Sequence, residues 1–429
     1  MPHEPARTRN PWAWVPSLYF AEGLPYVVVM TVSVIMYKRL GISNADIAFY
    51  TSWLYLPWVI KPLWSPFVDM FKTKRLWVVA LQAVLAVALA LIAFAVSLPS
   101  FFTWTLVVFS LLAFASATHD IAADGFYMLG LPQHQQAAFV GVRSTFYRFA
   151  MITGQGLLVV LAGTIESRTG GNITAAWSAT FVATAVLFVL FFLYHKFVLP
   201  YPLSDKPSLG AGARGVLHEF FQTFVIFFKK KDVVATLAFL LFYRFAEAQL
   251  VKLVTPFLLD ARDEGGLGLT TSEVGVVYGT VGIAAMTVGG LLGGYVVSRN
   301  GLRFWLWPMV LIIHLPDVMF VYLSQVQPTN FLLINLAVSL EQFGYGFGFT
   351  AYMMYMIMVS EGEHKTAHFA ICTGFMALGM MLPGMLSGTI QEMVGYKDFF
   401  LWVVLSTIPG FIVAMLVTID PGFAKKREA

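Results

Sequence analysis

Apolar runs of about 20 residues, the length a helix needs to cross the hydrocarbon core of a bilayer, alternate with short polar breaks along this chain. The runs predict spanning helices at 12–37, 46–68, 76–97, 101–129, 137–163, 175–199, 233–259, 272–298, 303–324, 329–358, 367–391 and 397–419. The longest break, Pro200–Lys231, is rich in proline, glycine and charge and ends in three lysines, Lys229–Lys231. Its middle, Val216–Phe228, reads as an amphipathic helix lying on the membrane surface. That break predicts a linker, 200–231, between two six-helix bundles, 1–199 and 232–429.

Composition removes the alternatives. Of 429 residues 58% are hydrophobic and only 12% charged, with a mean hydropathy of +0.75. An average soluble domain is roughly 25% charged, so too little polar surface exists to wrap so much apolar mass. A cytosolic enzyme, a nucleic-acid binder and an outer-membrane barrel are all disfavoured, and a polytopic all-α membrane protein is expected. The net charge of +4 lies in the breaks and sets topology. One side collects about sixteen Lys and Arg, among them Arg7, Arg9, Lys72, Lys74, Arg75, Lys229–Lys231, Arg299, Arg303 and Lys425; the other holds about five, Lys38, Arg39, Arg168, Arg262 and Lys397. Positive residues stay inside, so both termini and the linker are expected in the cytoplasm. The polar N-terminus runs into the first span without a small-residue cleavage site, so no signal peptide is expected. The one cysteine, Cys372, permits no internal disulfide.

The halves echo each other. Phe20-Ala21-Glu22 in the first span recurs as Phe245-Ala246-Glu247 in the seventh, and Gly41-Ile42-Ser43-Asn44-Ala45-Asp46 before the second recurs as Gly268-Leu269-Thr270-Thr271-Ser272-Glu273 before the eighth, at offsets of 225 and 227. Asp69 with Lys72, Lys74 and Arg75 after the second span corresponds to Ser298-Arg299-x-Gly301-x-Arg303 after the eighth. Two parallel six-helix repeats related by an axis normal to the membrane are the architecture of the major facilitator superfamily. The basic loop after the eighth span resembles that superfamily's loop signature. The resemblance implies two pseudo-symmetric bundles around a central cavity lined by spans one, four, seven and ten.

A charge at mid-bilayer costs several kcal/mol, so each intramembrane charge needs a partner or a polar cavity. Counting 1.5 Å per residue puts Asp120 and Arg148 about 13 and 16 Å deep, and Asp124 and Arg143 about 7 and 9 Å deep. Pairs Asp120–Arg148 and Asp124–Arg143 follow. They read either as structural ion pairs, or as an anion-binding Arg148 beside carboxylates that carry a coupling proton, since neutralising a carboxylate releases its arginine. Glu22, beside Gly23 and Pro25, shares a face with Tyr26; Glu341 lies at similar depth in Glu341-Gln342-Phe343-Gly344-Tyr345-Gly346-Phe347-Gly348, whose alternating glycines suit close packing and bending. Arg244 and Glu247 are one turn apart and are expected to satisfy each other, with Lys252 two turns beyond Arg244. His314 and Asp317 read as a structural pair, and His119 lacks the neighbours of a metal ligand. No metal or cofactor is expected. The residues assigned to substrate are Glu22, Tyr26, Asp120, Tyr147, Arg148, Arg244, Lys252, Glu341 and Tyr345. Proton coupling falls to Glu22, Asp120, Asp124, Glu247 and Glu341, and gating to Lys61, Asp69, Arg143 and Arg299.

Several segments resemble the AmpG-type muropeptide permeases within that superfamily: Gly23-Leu24-Pro25, Lys61-Pro-Leu-Trp64-Ser65-Pro66-x-x-Asp69, Ser116-x-x-x-Asp120-x-x-x-Asp124, Tyr147-Arg148, Glu273-Val274-Gly275-Val276-Val277, Glu341 with Gly346-x-Gly348, and Ala367-x-Phe369-Ala370. They keep their order from about 20 to 390. The resemblance implies proton-driven import of anhydromuropeptides, GlcNAc–anhydroMurNAc with or without peptide, across a bacterial inner membrane by a monomer whose partners are substrate, protons and lipid. Glu22 stands where this family usually has a small residue. It leaves open a facilitator of another solute, such as an oligosaccharide, peptide, siderophore or acetyl-CoA-like thioester.

Overall fold

The computed structural model describes residues 9–206, 213–362 and 364–424, without the side chains of residues 69, 133, 137 and 213–220. Every regular element among the described residues is helical. In chain order these are α1 (Pro11–Arg39), α2 (Asn44–Trp53), α3 (Leu56–Met70), α4 (Lys74–Ala95), α5 (Phe101–Gly130), α6 (Gln133–Ile152), α7 (Val159–Arg168), α8 (Ile173–Val198) and α9 (Ala213–Phe228). Then follow α10 (Val233–Phe242), α11 (Phe245–Leu259), α12 (Thr271–Asn300), α13 (Leu302–His314), α14 (Val318–Val326), α15 (Phe331–Ser360), α16 (Lys365–Leu405) and α17 (Ile408–Leu416).

Nine stretches of the described residues are long and apolar enough to cross a membrane. One of them, Lys365–Leu416, has 52 residues. As one straight rod it would reach about 78 Å, far beyond a bilayer, and it turns at Gly395 (φ 76°, ψ 167°), a conformation open to glycine. It therefore holds the two last expected spans. The second and tenth expected spans correspond to α2–α3 and α15. The second is divided into two short helices of 10 and 15 residues.

The repeated segment before the second and eighth spans is a pair of helix caps. The Ser43 hydroxyl accepts from the Asp46 N–H at the start of α2, and Thr270 with Glu273 forms a complete capping box at the start of α12. Each uses a hydroxyl to satisfy an orphan N–H three residues on, and at Thr270 the Glu273 carboxylate accepts in return from the cap N–H. Lys229–Lys231 close the amphipathic stretch where it was expected, after α9.

By its internal contacts the chain divides into two compact units: Met1–Ser33 with Leu63–Phe220, and Val34–Pro62 with Phe221–Ala429. In the first, α1 packs along α6 and against α5, while α4 packs on α5 and α8. Gly23 permits this, because a Cβ there would stand 3.1 Å from both Ala150 and Tyr147. Trp14, Leu18, Tyr19, Phe126 and Tyr127 form its buried centre, with Trp14 and Phe126 edge to face at 5.3 Å. Pro25 leaves α1 unbroken; the widened turn Val28–Val32 follows it and packs on another at Thr153–Leu158.

In the second unit α15 runs between α12 and α13, and α2 and α11 both pack on α16. The alternating glycines of α15 make this possible. A Cβ on Gly346 would overlap the Met286 carbonyl of α12, and Cβ atoms on Gly344 and Gly348 would overlap the Ile312 carbonyl and the Ile313 side chain of α13. The expected close packing is thus a three-helix sandwich. It draws Glu341 toward α13.

Candidate functional sites

In the first unit, Asp124 and Arg143 meet at 2.7 Å, as their matched depths predict. Tyr19 of α1 completes the group: its hydroxyl donates to Asp124 Oδ1 at 2.9 Å, and the Arg143 guanidinium lies over its ring at 4.4 Å. The side chains are 32% and 38% exposed, so the pair contributes no more than about 1 kcal/mol. The second expected pair is not formed. Arg148 is half-buried and makes no hydrogen bond or ion pair among the described residues. Depth matching fails there because α1 intervenes; α5 and α6 touch only sparsely, whereas each packs against α1. Glu22 is buried at 7% exposure, close to Tyr147 through the tight α1–α6 contact at Gly23. Asp120 and Tyr26 are partly buried in the same unit.

Four helices of this unit are also tied by a buried polar chain. Ser17 donates to His195 Nε2 (2.9 Å), His195 Nδ1 donates to Gln82 Oε1 (2.9 Å), and Gln82 Nε2 donates to His119 Nε2 (3.1 Å). One assignment of neutral tautomers satisfies all three contacts. His119, buried at the end of this chain, anchors α5 to α4.

The second unit holds Lys61, Arg244, Glu247, Lys252, Arg299, Glu341 and Tyr345. The chain breaks at Tyr243–Arg244, so Glu247 falls in the first turn of α11. Arg244 does not pair with Glu247. Its Nη2 donates to the Tyr345 hydroxyl at 2.6 Å, and its guanidinium lies over Phe349 at 4.8 Å. The planar guanidinium suits this aromatic cage, while both Glu247 oxygens are without a partner among the described residues. Asp317 does not pair with His314 either: their polar atoms are all unpartnered, because the His314 ring turns to Phe411 and Tyr243. Oxygens of Glu247, Asp317 and Glu341 instead lie within 4.8 Å of one another, all buried. At an effective dielectric near 20, two ionised carboxylates at that distance repel by about 3 kcal/mol.

Lys252, 3% exposed, donates to Thr51 of α2 at 2.8 Å and lies 5.3 Å from the Tyr55 ring centre. Beyond it a compact network joins Lys38 to Asp260 (2.6 Å), with Asn44, Gln391 and Tyr396 around them. Lys61 is half-buried in α3. Arg299 is exposed over Tyr295 at 4.8 Å. The side chain of Asp69 lies outside the described residues.

Sequence reasoning missed Tyr19, Gln82, His195 and the true setting of Asp317. Tyr19 gave no signal beyond an aromatic at a span end. Asp317 did: a carboxylate within a span, beside Pro316, opposite the small residues of α15.

A model of the Major Facilitator Superfamily matches residues 17–361. The anhydromuropeptide permease of Escherichia coli K12 is 25% identical over 411 residues, covering 93% of this chain and 78% of its own. A Rickettsia conorii relative bearing the name AmpG 4 is 27% identical over 414 residues, covering 93% and 94%. Among solved structures, a D-xylose–proton symporter aligns with a TM-score of 0.68 at 12% identity, over 94% and 96% of the chains. A bacterial homolog of the human lysosomal transporter Spinster aligns at 0.66 and 16%, over 94% of each. At these identities the structures bear on fold alone, and the fold is the one expected from the two repeated halves. The family is one of transporters, not enzymes, and the curated relatives support the AmpG-type resemblance. This chain belongs to the Major Facilitator Superfamily.

Proposed function

We propose that this protein is a proton-coupled importer of anhydromuropeptides, working by alternating access in a bacterial inner membrane with both termini in the cytoplasm. The observation that carries the reading is Arg148: a cation on a spanning helix, bonded to no carboxylate among the described residues. A charge there is retained at a cost, and the carboxylate of an anhydroMurNAc ring would repay it. Glu22, Tyr26, Asp120 and Tyr147 of the first unit, and Arg244, Lys252, Glu341 and Tyr345 of the second, are the binding side chains in this reading. Glu22, Asp120, Asp124, Glu247 and Glu341 are the candidate proton carriers, and Lys61, Asp69, Arg143 and Arg299 the gating residues. In this reading residues 200–231 link the two six-helix bundles 1–199 and 232–429 along the chain, and the protein acts as a monomer. The AmpG-type relatives support the substrate class. Glu22 favours the alternative, a facilitator of another solute.

The test is uptake of labelled GlcNAc–anhydroMurNAc into proteoliposomes with and without an inward proton gradient. Gradient-dependent accumulation, abolished in Arg148→Ala at equal incorporation, supports the proposal. Absence of uptake refutes the substrate, and gradient-independent uptake refutes the coupling.

A further inference from the structure

Three spanning segments of the second unit each send one carboxylate to a single point. Glu247 comes from the first turn of α11, Asp317 from the break between α13 and α14, and Glu341 from α15. Their oxygens lie within 4.8 Å of one another, and each residue is 1% exposed. Gln342 donates to one Glu341 oxygen at 3.0 Å. All four oxygens of Glu247 and Asp317 lack a hydrogen-bond partner among the described residues. That second observation separates this cluster from an ordinary acidic patch, whose oxygens water would satisfy.

No surrounding group donates to these four oxygens among the described residues. Arg244 Nη2 donates to Tyr345 while its Nε has no partner, Lys252 donates to Thr51, and the His314 ring faces Phe411 and Tyr243. Tyr278 of α12 is a further titratable neighbour. Three buried carboxylates cannot all stay ionised without donors. A proton removes one charge and creates an O–H that an adjacent carboxylate accepts, so it answers both deficits at once. A hard metal ion answers them less well. Calcium takes about six to eight oxygens, and the Arg244 guanidinium, next to Glu247 in the electrostatics of the site, repels a cation that carries full charge.

We infer that Glu247, Asp317 and Glu341 form one proton-binding site, in which Asp317 is a full member and the proton is shared among the three side chains. This deepens the proton-coupled reading above and rests on it for its role in transport. It assigns the second unit's coupling proton to a triad of carboxyls.

The test is infrared difference spectroscopy on the purified full-length protein in nanodiscs, without substrate, following the deuterium-sensitive carbonyl stretch of protonated carboxyl groups near neutral pH. The band is expected in the parent protein, to lose intensity in Asp317→Asn and separately in Glu341→Gln, and to be abolished when both are combined. A band unchanged in both single variants overturns the proposal. So does a parent band that disappears on addition of sodium or calcium chloride but not choline chloride, which identifies a metal ion as the occupant. In proteoliposomes with GlcNAc–anhydroMurNAc, Asp317→Asn is expected to lose gradient-driven accumulation while keeping equilibrium exchange; a merely structural Asp317 would lower both. Because the infrared arm needs no solute, its outcome stands if the muropeptide reading fails. Intact accumulation in Asp317→Asn sinks the triad and leaves import standing.

Discussion

Asp260 offers the sharpest energetic test within one unit. Its carboxylate accepts from Lys38 Nζ at 2.6 Å and from the Tyr396 hydroxyl at 2.6 Å. Lys38 also donates to Asn44 Oδ1 at 2.9 Å, and Asn44 Nδ2 donates to Gln391 at 2.7 Å and to Tyr396 at 2.8 Å. The Lys38 and Asp260 side chains are only 16% and 9% exposed. Removing one member of a buried pair costs roughly 3–5 kcal/mol, because the other is left charged and unpaired. In Asp260→Asn, Lys38 keeps the Asn44 acceptor and some access to water, so about 2–3 kcal/mol is expected. This network ties α2 to α16 and to the start of the 260–270 loop. Its loss should therefore favour release of α2. At about 1.4 kcal/mol per factor of ten, release rises about 30- to 150-fold. Ala48, fully buried on α2, is the reporter. Ala48→Cys in a Cys372→Ala background, reacted with a maleimide in nanodiscs, labels in proportion to the released population when reclosing is fast. Lys38→Met should cost less, since Asp260 retains Tyr396 as donor. The double variant should cost less than the sum of the two. Labelling of Asp260→Asn at the parent rate, or additive costs, would refute the reasoning.

Other expectations follow from single contacts. Gly388→Ala places a Cβ against the Asn44 carbonyl, so it should raise Ala48→Cys labelling as Asp260→Asn does; an unchanged rate would mean α2 does not seat against α16 as described. Gln82→Leu strips both His195 Nδ1 and His119 Nε2 of their partner and should cost about 2–3 kcal/mol, read as a lower denaturation midpoint. A midpoint within error of the parent would show that the chain of bonds is not formed. Asp124→Asn removes a part-exposed pair and should change stability by less than about 1 kcal/mol, so a large loss of midpoint would place Asp124 in a far drier setting.

Much of the fold was legible because a bilayer makes helix length and apolarity nearly sufficient signals. The twelve spans fall on the observed helices, and the repeated segments before the second and eighth are caps, whose chemistry is local. Pairings were legible only where local geometry governs them. Arg143 reaches Asp124 near the α5–α6 connection, but farther on α1 stands between the helices, and a depth count along two helices cannot see a third. Arg244 and Glu247 looked self-sufficient at one turn's spacing, yet the break at Tyr243–Arg244 re-aims the arginine toward Tyr345. Asp317 was read as the partner of His314, one turn before it, so its chemistry looked already spent. The glycines at 344, 346 and 348, read correctly as close-packing positions, already pointed to what would be pressed against them. Lys38 looked like a loop charge; its burial depends on residues more than 200 positions away, which no local pattern encodes.

The central claim is that lipid-depth acids and bases couple a solute to proton movement. The direct measurement is external pH on adding GlcNAc–anhydroMurNAc to proteoliposomes with no gradient imposed. The account predicts alkalinisation of the medium as protons enter with the solute, abolished in Arg148→Ala. Solute entry with no pH change would contradict it.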